Sequence, residues 1–358
     1  MTNKKLLIRS FVDADFENIS QLRKTFTTRT SRNREASYYR WKILDNPLQE
    51  GLLNVADDDG FVASMTTVTP KRLFINGKLQ DGAEIGDTYT HIDYHRRGLF
   101  TALVNMTREK SLEKALDFIY GTPNENSLPG YEKNCNFLQI PSARVLSLVR
   151  PINMIPILLA MGIHPFLTKM LGPILTLGFK LFYTIPLSPP GKGKIEISEV
   201  SEFPGDIYSL FKKVSKNYDW ILDRNSEYLK WRYLKNPESY SIWVAKIKSE
   251  TVGYLVIKVG NWQNLKVAYL ADFLTDESSP ETFISLFLHS ISRLAQDGID
   301  MLSAGTQKNS FYHNILKRYG FLKHQKVPII CYKNTLGEQI IDKEHARWHF
   351  TMADSDNI

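Results

Sequence analysis

Cysteine is almost missing from this chain: Cys135 and Cys331 are the only two in 358 residues. Two distant thiols build no disulfide framework, and they offer none of the spacings that hold a structural metal, so no metal site is expected. Also missing is an N-terminal apolar run of signal-peptide length, because Arg9 interrupts the short Leu6-Leu7-Ile8 stretch and acidic residues follow. The expected compartment is therefore the cytoplasm. No excess of acid exists either: 45 Lys and Arg stand against 38 Asp and Glu, a net charge of +7. Positive charge suits an anionic partner such as a nucleotide cofactor, an acidic lipid surface or a nucleic acid. The basic residues are dispersed and no nucleic-acid motif accompanies them, so a nucleic-acid partner is set aside.

What is present is apolar material enough for two cores, at 43% hydrophobic and 23% charged residues. The length exceeds the usual size of one core. An internal repeat gives the division. Tyr38-Tyr-Arg-Trp-Lys-Ile-Leu-Asp-Asn-Pro47 recurs 190 positions later as Tyr228-Leu-Lys-Trp-Arg-Tyr-Leu-Lys-Asn-Pro237. Tyr38, Trp41 and Leu44 share one helical face, and Asn46-Pro47 ends the helix because a residue before proline avoids the helical region. Downstream, Val55-Ala56 with Val62–Met65 is echoed by Val244-Ala245 with Val252–Leu255, each pair reading as a hairpin. Asn126-Ser127 and Phe137 are echoed by Asn309-Ser310 and Phe321. Asn76-Gly77 after Arg72–Ile75 is a hairpin-turn dipeptide. The expected boundaries are 1–145 for a first α/β unit, 146–191 for an apolar helical connector, 192–335 for a second unit and 336–358 for a polar tail.

Chemistry concentrates in Gly86–Leu103, where a β-type stretch runs into a polar turn and then a helix. His95, Arg96, Arg97 and Gly98 sit at that junction. Free backbone N–H groups at a helix start hold phosphate oxygens, glycine allows close approach, and arginines add positive charge. A solvated helix start is the plainer reading of the same residues.

This segment resembles motif A of the GNAT superfamily of N-acetyltransferases, Arg/Gln-x-x-Gly-x-Gly/Ala, laid over His95-Arg-Arg-Gly-Leu-Phe100. His95 and Phe100 depart from that pattern, and Ile92 stands where many members carry proline. A second family pattern, Asn-x-x-Ala/Ser-x-x-x-Tyr, fits Asn124, Ser127 and Tyr131. The wording Pro123-Asn-Glu-Asn-Ser-Leu-Pro-Gly130 is similar to a tandem-domain GNAT subgroup, like the Eis-type enzymes and those found with surface-polysaccharide genes. The resemblance implies an α/β fold (an α+β mixed sheet) of two tandem GNAT-like domains. It also implies acetyl-CoA or another acyl-CoA as cosubstrate. The cofactor residues it implies are Tyr89, Thr90, His91, His95, Arg96, Arg97, Gly98, Leu99, Phe100, Thr101, Asn124 and Ser127. An oxyanion contact is expected from the backbone N–H of Tyr89, Thr90 or His91. Tyr131 is the expected acid toward the CoA thiolate, with a cleft-wall tyrosine as the alternative. Asp87, Glu84 and Glu125 are the candidate bases, and strand alternation puts Asp87 and Tyr89 on one face. The second half lacks Gly and Arg at the matching helix entrance and carries Asp276, Glu277 and Glu281 there. It reads as degenerate.

Between the halves, Pro151–Thr168 and Met170–Phe179 are apolar with Pro156, His164 and Pro165 as breaks. A bilayer span needs ~20 apolar residues, so a span is the minor reading. A buried helical pair, or a lid or peripheral membrane contact through 151–185, are the alternatives. Three functions follow. One is transfer of an acyl group, acetyl first of all, from CoA to a primary amine such as an amino sugar. The second is longer-chain acylation of an amphiphilic or lipid amine at a membrane surface. The third is a non-catalytic acyl-CoA-binding scaffold.

Overall fold

The computed structural model describes residues 6–25, 35–184, 195–341 and 343–355. The expected 191/192 boundary, the end of the connector and the last tail residues fall outside them. Two compact units are present, and each is assembled from separated stretches.

The first unit comprises 1–143, 235–238 and 327–346. It opens with β1 (Leu7–Ser10), α1 (Asp15–Thr25) and α2 (Ala36–Leu44). Three long strands follow: β2 (Leu52–Asp58), β3 (Phe61–Ile75) and β4 (Lys78–Thr90). Then come α3 (Leu99–Glu113), β5 (Phe118–Gly121), α4 (Leu128–Asn134) and β6 (Phe137–Gln139). The hairpins turn where the sequence predicts. Asp59-Gly60 and Asn76-Gly77 all adopt positive φ, at 55°, 88°, 52° and 75°, as tight two-residue hairpins require. In α2, Tyr38 and Trp41 are buried, but Leu44 faces solvent.

The second unit comprises 144–234, 239–326 and 347–358. Its first elements are β7 (Val145–Pro151), α5 (Met154–Ala160) and α6 (Pro165–Thr184). Next are β8 (Ile195–Val200), α7 (Ile207–Val214), β9 (Trp220–Leu222) and α8 (Ser226–Leu229), which runs into a π-turn at Lys230–Leu234. The meander is β10 (Ser241–Ile247), β11 (Glu250–Trp262) and β12 (Leu265–Thr275). After it come α9 (Pro280–Gln296), β13 (Met301–Gln307), α10 (Phe311–Arg318) and β14 (Leu322–Val327). The order strand, helix, helix, three-strand meander, helix, strand, helix, strand is common to both units. Ser127 precedes α4 as Ser310 precedes α10.

The chain's last elements return to the first unit: β15 (Ile330–Tyr332) and α11 (Thr335–Ile341). The first sheet runs β1-β2-β3-β4-β5-β15-β6, so β15 separates β5 from β6. The second runs β14-β7-β13-β12-β11-β10-β8, so β7 separates β13 from β14. Each sheet thus takes the strand that follows the other unit's last strand.

Three boundaries expected from sequence change accordingly. The first unit needs β15, so it does not close at 145. Residues 145–151 are a sheet strand and not connector. The expected polar tail is ordered and packed. Trp348 stacks on Trp220 with ring centroids 4.7 Å apart, and His349, Phe350 and Asp354 are buried. The aromatic run Trp348-His-Phe350 makes that burial favourable despite the polar residues around it.

The connector helices are also not a buried pair. Gly172 lets α6 meet Ile155 of α5; a Cβ there would lie 2.5 Å from the isoleucine side chain. Ile157 packs on Leu265, Val267 and Met301. The outer face of α6, however, is exposed and apolar. Among the described residues no helix is long and apolar enough to cross a membrane.

Candidate active site

The site begins with an irregularity in β4. Met65 pairs with Tyr89 and Thr67 with Gly86, so Asp87 and Thr88 together face Thr66. One extra residue makes a β-bulge, which re-aims the side chains beside it. Asp87 takes φ +45°, a left-handed conformation that a non-glycine residue holds only when its surroundings fix it. Lys42 supplies that fixing: its Nζ donates to Asp87 at 2.8 Å and to Thr67 at 3.1 Å, with both ion-pair partners buried. Tyr89 donates its hydroxyl to the other Asp87 oxygen at 3.3 Å, so Asp87 and Tyr89 share a face as alternation predicts. Arg23 of α1 lies over the Tyr89 ring at 4.1 Å.

Thr88 turns the other way. Its hydroxyl is 2.8 Å from that of Thr66 and 2.9 Å from that of Tyr131, a chain of three hydroxyls. Burial pushes the Tyr131 phenol well above its ordinary pKa, and the bond to Thr88 offsets part of that shift. Tyr131 is therefore held in its protonated form. Phe100 and Phe137 pack edge-on against it at 5.0 and 5.3 Å. The bulky Phe100 is accommodated by Gly130, where a Cβ would meet the phenyl ring at 2.7 Å.

Alongside this chain β4 loses its neighbour. Parallel pairing with β5 runs only from Gly82↔Phe118 to Glu84↔Tyr120. Among the described residues no strand pairs with the far half of β4 on that side. The N–H of His91 donates to Ala63 at 2.8 Å, which removes it as an oxyanion donor. Ladder alternation then directs the backbone of Thr90 away from β3. Its carbonyl receives the His95 ring at 2.9 Å.

Beyond β4 a 3₁₀ turn at Ile92–Tyr94 leads to the helix entrance. Arg96 and Gly98 both take positive φ, at 62° and 74°. Gly98 caps α3 with no side-chain bond, and the first turn holds no acidic residue. The first N–H groups of a helix, here those of Leu99, Phe100 and Thr101, have no acceptor within the helix, and with the helix dipole such an end suits an anion. The Leu99 side chain itself belongs to a small core with Ala56 and Leu103, so only its backbone is available.

Several residues expected to touch cofactor brace the loop by their side chains. His95 holds Thr90, and Arg97 donates to the Asp93 carbonyl at 2.9 Å while stacking on Tyr94. The His91 ring accepts from the Asp93 amide. Asn124 accepts from the amides of Asn126 and Ser127, both at 3.0 Å, and organises the turn into α4. Arg96 is exposed and Thr101 bonds toward Cys135. Of the carboxylates, Glu84 is buried 3.5 Å from Lys71 and Asp87 is paired with Lys42, while Glu125 is exposed on the Asn124 loop. Lys42 was missed at the sequence level, although it lies inside the repeat. Burial lifts the thiols of Cys135 and Cys331 to about 11 and about 12, so neither is a ready nucleophile.

The second unit repeats the irregularity. Val256 pairs with Asp272 and Ile257 with Leu270, leaving Ala271 as the extra residue. Asp272 is bound by Arg224, Tyr233, Tyr254 and Thr351. Pairing with β13 ends at Leu270↔Ala304. There the Tyr312 hydroxyl accepts from the Thr275 N–H at 2.8 Å and donates to its carbonyl at 3.1 Å.

Comparison with known proteins agrees with this geometry. Residues 8–134 match the family model of the acetyltransferase (GNAT) domain. No curated protein matches the sequence. A GCN5-related N-acetyltransferase from Anabaena variabilis is structurally similar at 13% identity and TM-score 0.62, over 91% of this chain and 72% of that one. A conserved Enterococcus faecalis protein described as a probable N-acyltransferase aligns at 10% identity and TM-score 0.61 over the same shares. Saccharomyces cerevisiae N-myristoyltransferase with bound myristoyl-CoA aligns at 13% identity and TM-score 0.64, over 93% of this chain and 83% of that one. Residues 8–134 thus match the GNAT acetyltransferase domain, and the fold is shared along most of the chain with a GCN5-related N-acetyltransferase and with N-myristoyltransferase.

Proposed function

We propose that the first unit is an acyl-CoA-dependent N-acyltransferase. The observation that carries this reading is the open edge of β4 lying between an uncapped, acid-free helix start and a buried tyrosine. The CoA diphosphate would rest on the α3 N–H groups, with Arg96 adding charge, and the thioester would lie along β4. The amine nitrogen attacks the thioester carbonyl, and the Thr90 N–H receives the oxyanion. Collapse breaks the C–S bond, and Tyr131 gives its proton to the departing sulfur. An alkylammonium acceptor must first lose a proton, since such groups sit near pKa ~10. Glu125 is the exposed carboxylate of the three candidates. Asp87 and Glu84 are positioning residues in this reading, because each is engaged by a buried lysine. Two buried thiols fit a reducing compartment such as the cytoplasm.

Acetyl transfer to a small amine, an amino sugar among them, is the first substrate reading. Arg23 over Tyr89 offers a cationic and aromatic wall to a polar acceptor. Transfer of a longer chain to an amphiphilic amine is favoured by the exposed apolar face of α6. The second unit keeps the fold without the cofactor site, since its helix entrance carries Asp276, Glu277 and Glu281 in place of Gly and Arg, and Tyr312 binds the backbone of Thr275 at the end of β12.

Calorimetric titration with acetyl-CoA, palmitoyl-CoA and free CoA tests the reading. Equal affinity for acetyl-CoA and CoA marks the short-chain enzyme, much tighter palmitoyl-CoA the long-chain one. Binding without turnover on any amine leaves a scaffold, and no binding at all ends the proposal. Gly98→Glu places a carboxylate at the diphosphate site and is expected to weaken CoA at least ~10-fold. Tyr131→Phe should leave CoA affinity intact and slow turnover by ~10²-fold or more.

A further inference from the structure

Helix α6 is 20 residues long, or about 30 Å. Phe166, Met170, Ile174, Leu177, Leu181 and Phe182 recur at helical spacing along it, and all are exposed, Phe182 to 83% and Ile174 to 67%. A helix packed for solubility buries such a stripe, so this one awaits a surface. The helix is fixed to the second unit from behind. Gly172 seats it on α5, and Phe179 and Tyr183 close over Gly320, where a Cβ would lie 2.9 and 2.8 Å from their rings.

Charge decides what the surface is. From Lys133 to Ile195 the sequence contains no Asp or Glu. Lys169 and Lys180 are exposed on α6 itself, and Lys317, Arg318 and Lys323 are exposed on either side of Gly320. An apolar stripe flanked by these exposed cations, on a stretch of chain without acidic residues, matches acyl chains beneath anionic headgroups. Pro173 and the two lysines keep the helix from spanning, and their long stems can reach headgroups while the stripe sinks.

We propose that α5–α6 is an interfacial anchor that lies flat on an anionic bilayer and holds the protein there. The anchor stands independently of acyl transfer, because it uses none of the residues around β4.

Flotation of the full chain with phosphatidylcholine vesicles, with and without phosphatidylglycerol, is the test. Partitioning onto the anionic vesicles is expected to exceed that onto neutral ones by on the order of tenfold, and to fall as salt rises. Phe166→Ser with Phe182→Ser should reduce partitioning at least ~10-fold. Both side chains face solvent, so folding should persist, and unchanged CoA titration would show that the first unit is intact. Lys169→Gln with Lys180→Gln should reduce the preference for the anionic lipid and spare the weaker neutral binding. Failure to float with either vesicle overturns the proposal. So does self-association abolished by Phe182→Ser without lipid binding, which would make a second copy the occupant.

Discussion

Asp87 stands mid-strand at a backbone angle that costs on the order of 1–3 kcal/mol for a non-glycine residue. Its carboxylate would be an expensive buried charge without Lys42. Replacing Lys42 by Met should therefore destabilise the protein by about 3–5 kcal/mol, read as a lower midpoint of urea unfolding. Where folding persists, KM for acyl-CoA should rise more than kcat falls, because the bulge that presents Thr88 and Thr90 relaxes. Lys42→Arg should recover part of both. If Asp87 were the base, kcat and its pH profile would change most. The sequence made Asp87 visible, as a polar residue on a central strand, but its partner is 45 positions away in a helix that reads as a packing stripe. Phe100 was legible as a departure from the motif. Its compensation by Gly130 was not, because only the fold brings them together.

At the level of elements, the strands and turns were legible because glycine- and asparagine-rich turns and alternation are local signals. The splay between β4 and β5 was not, since it depends on where pairing stops. The C-terminal stretch 347–355 was misread for the same reason: its partners are distant. His349 donates from Nε2 to the Phe273 carbonyl and lies against the rings of Tyr218 and Tyr312. Burial lowers its pKa to about 3, Arg224 adds to that, and Asp272 opposes it. The folded state therefore holds His349 neutral while the unfolded chain protonates near 6.5. Stability from this group is complete above that value and is lost as pH falls from 6.5 toward 3, by about 1.4 kcal/mol per pH unit. Asp354, whose carboxyl burial raises above its ordinary value, works in the opposite sense. His349→Gln keeps a donor without the titration. Its thermal midpoint should vary less with pH between 6.5 and 5 than that of the wild type, and equal slopes would remove His349 as the cause.

At the scale of the whole molecule, the repeat disclosed the duplication but not the exchange of β7 and β15. A repeat reports what each unit contains, and says nothing of which stretch of chain completes each sheet. Residues 1–145 expressed alone lack β15, and they leave β5 and β6 as unpaired edges. They should be recovered as aggregate, and residues 327–346 added in trans should restore solubility and CoA binding. A soluble, CoA-binding 1–145 fragment would show that the strand is dispensable.

The exchange also sets an order of events during synthesis. A ribosome releases the whole of residues 8–134, which match the GNAT domain, long before it reaches Ile330, yet that segment's sheet cannot close until then. The nascent N-terminal half must wait, edges open, while the second half is translated, which is the interval in which a chaperone would be needed. Under the proposed reading, catalytic competence then arrives only once Ile330 has been made, and products terminated before it lack the closed sheet that would carry the site.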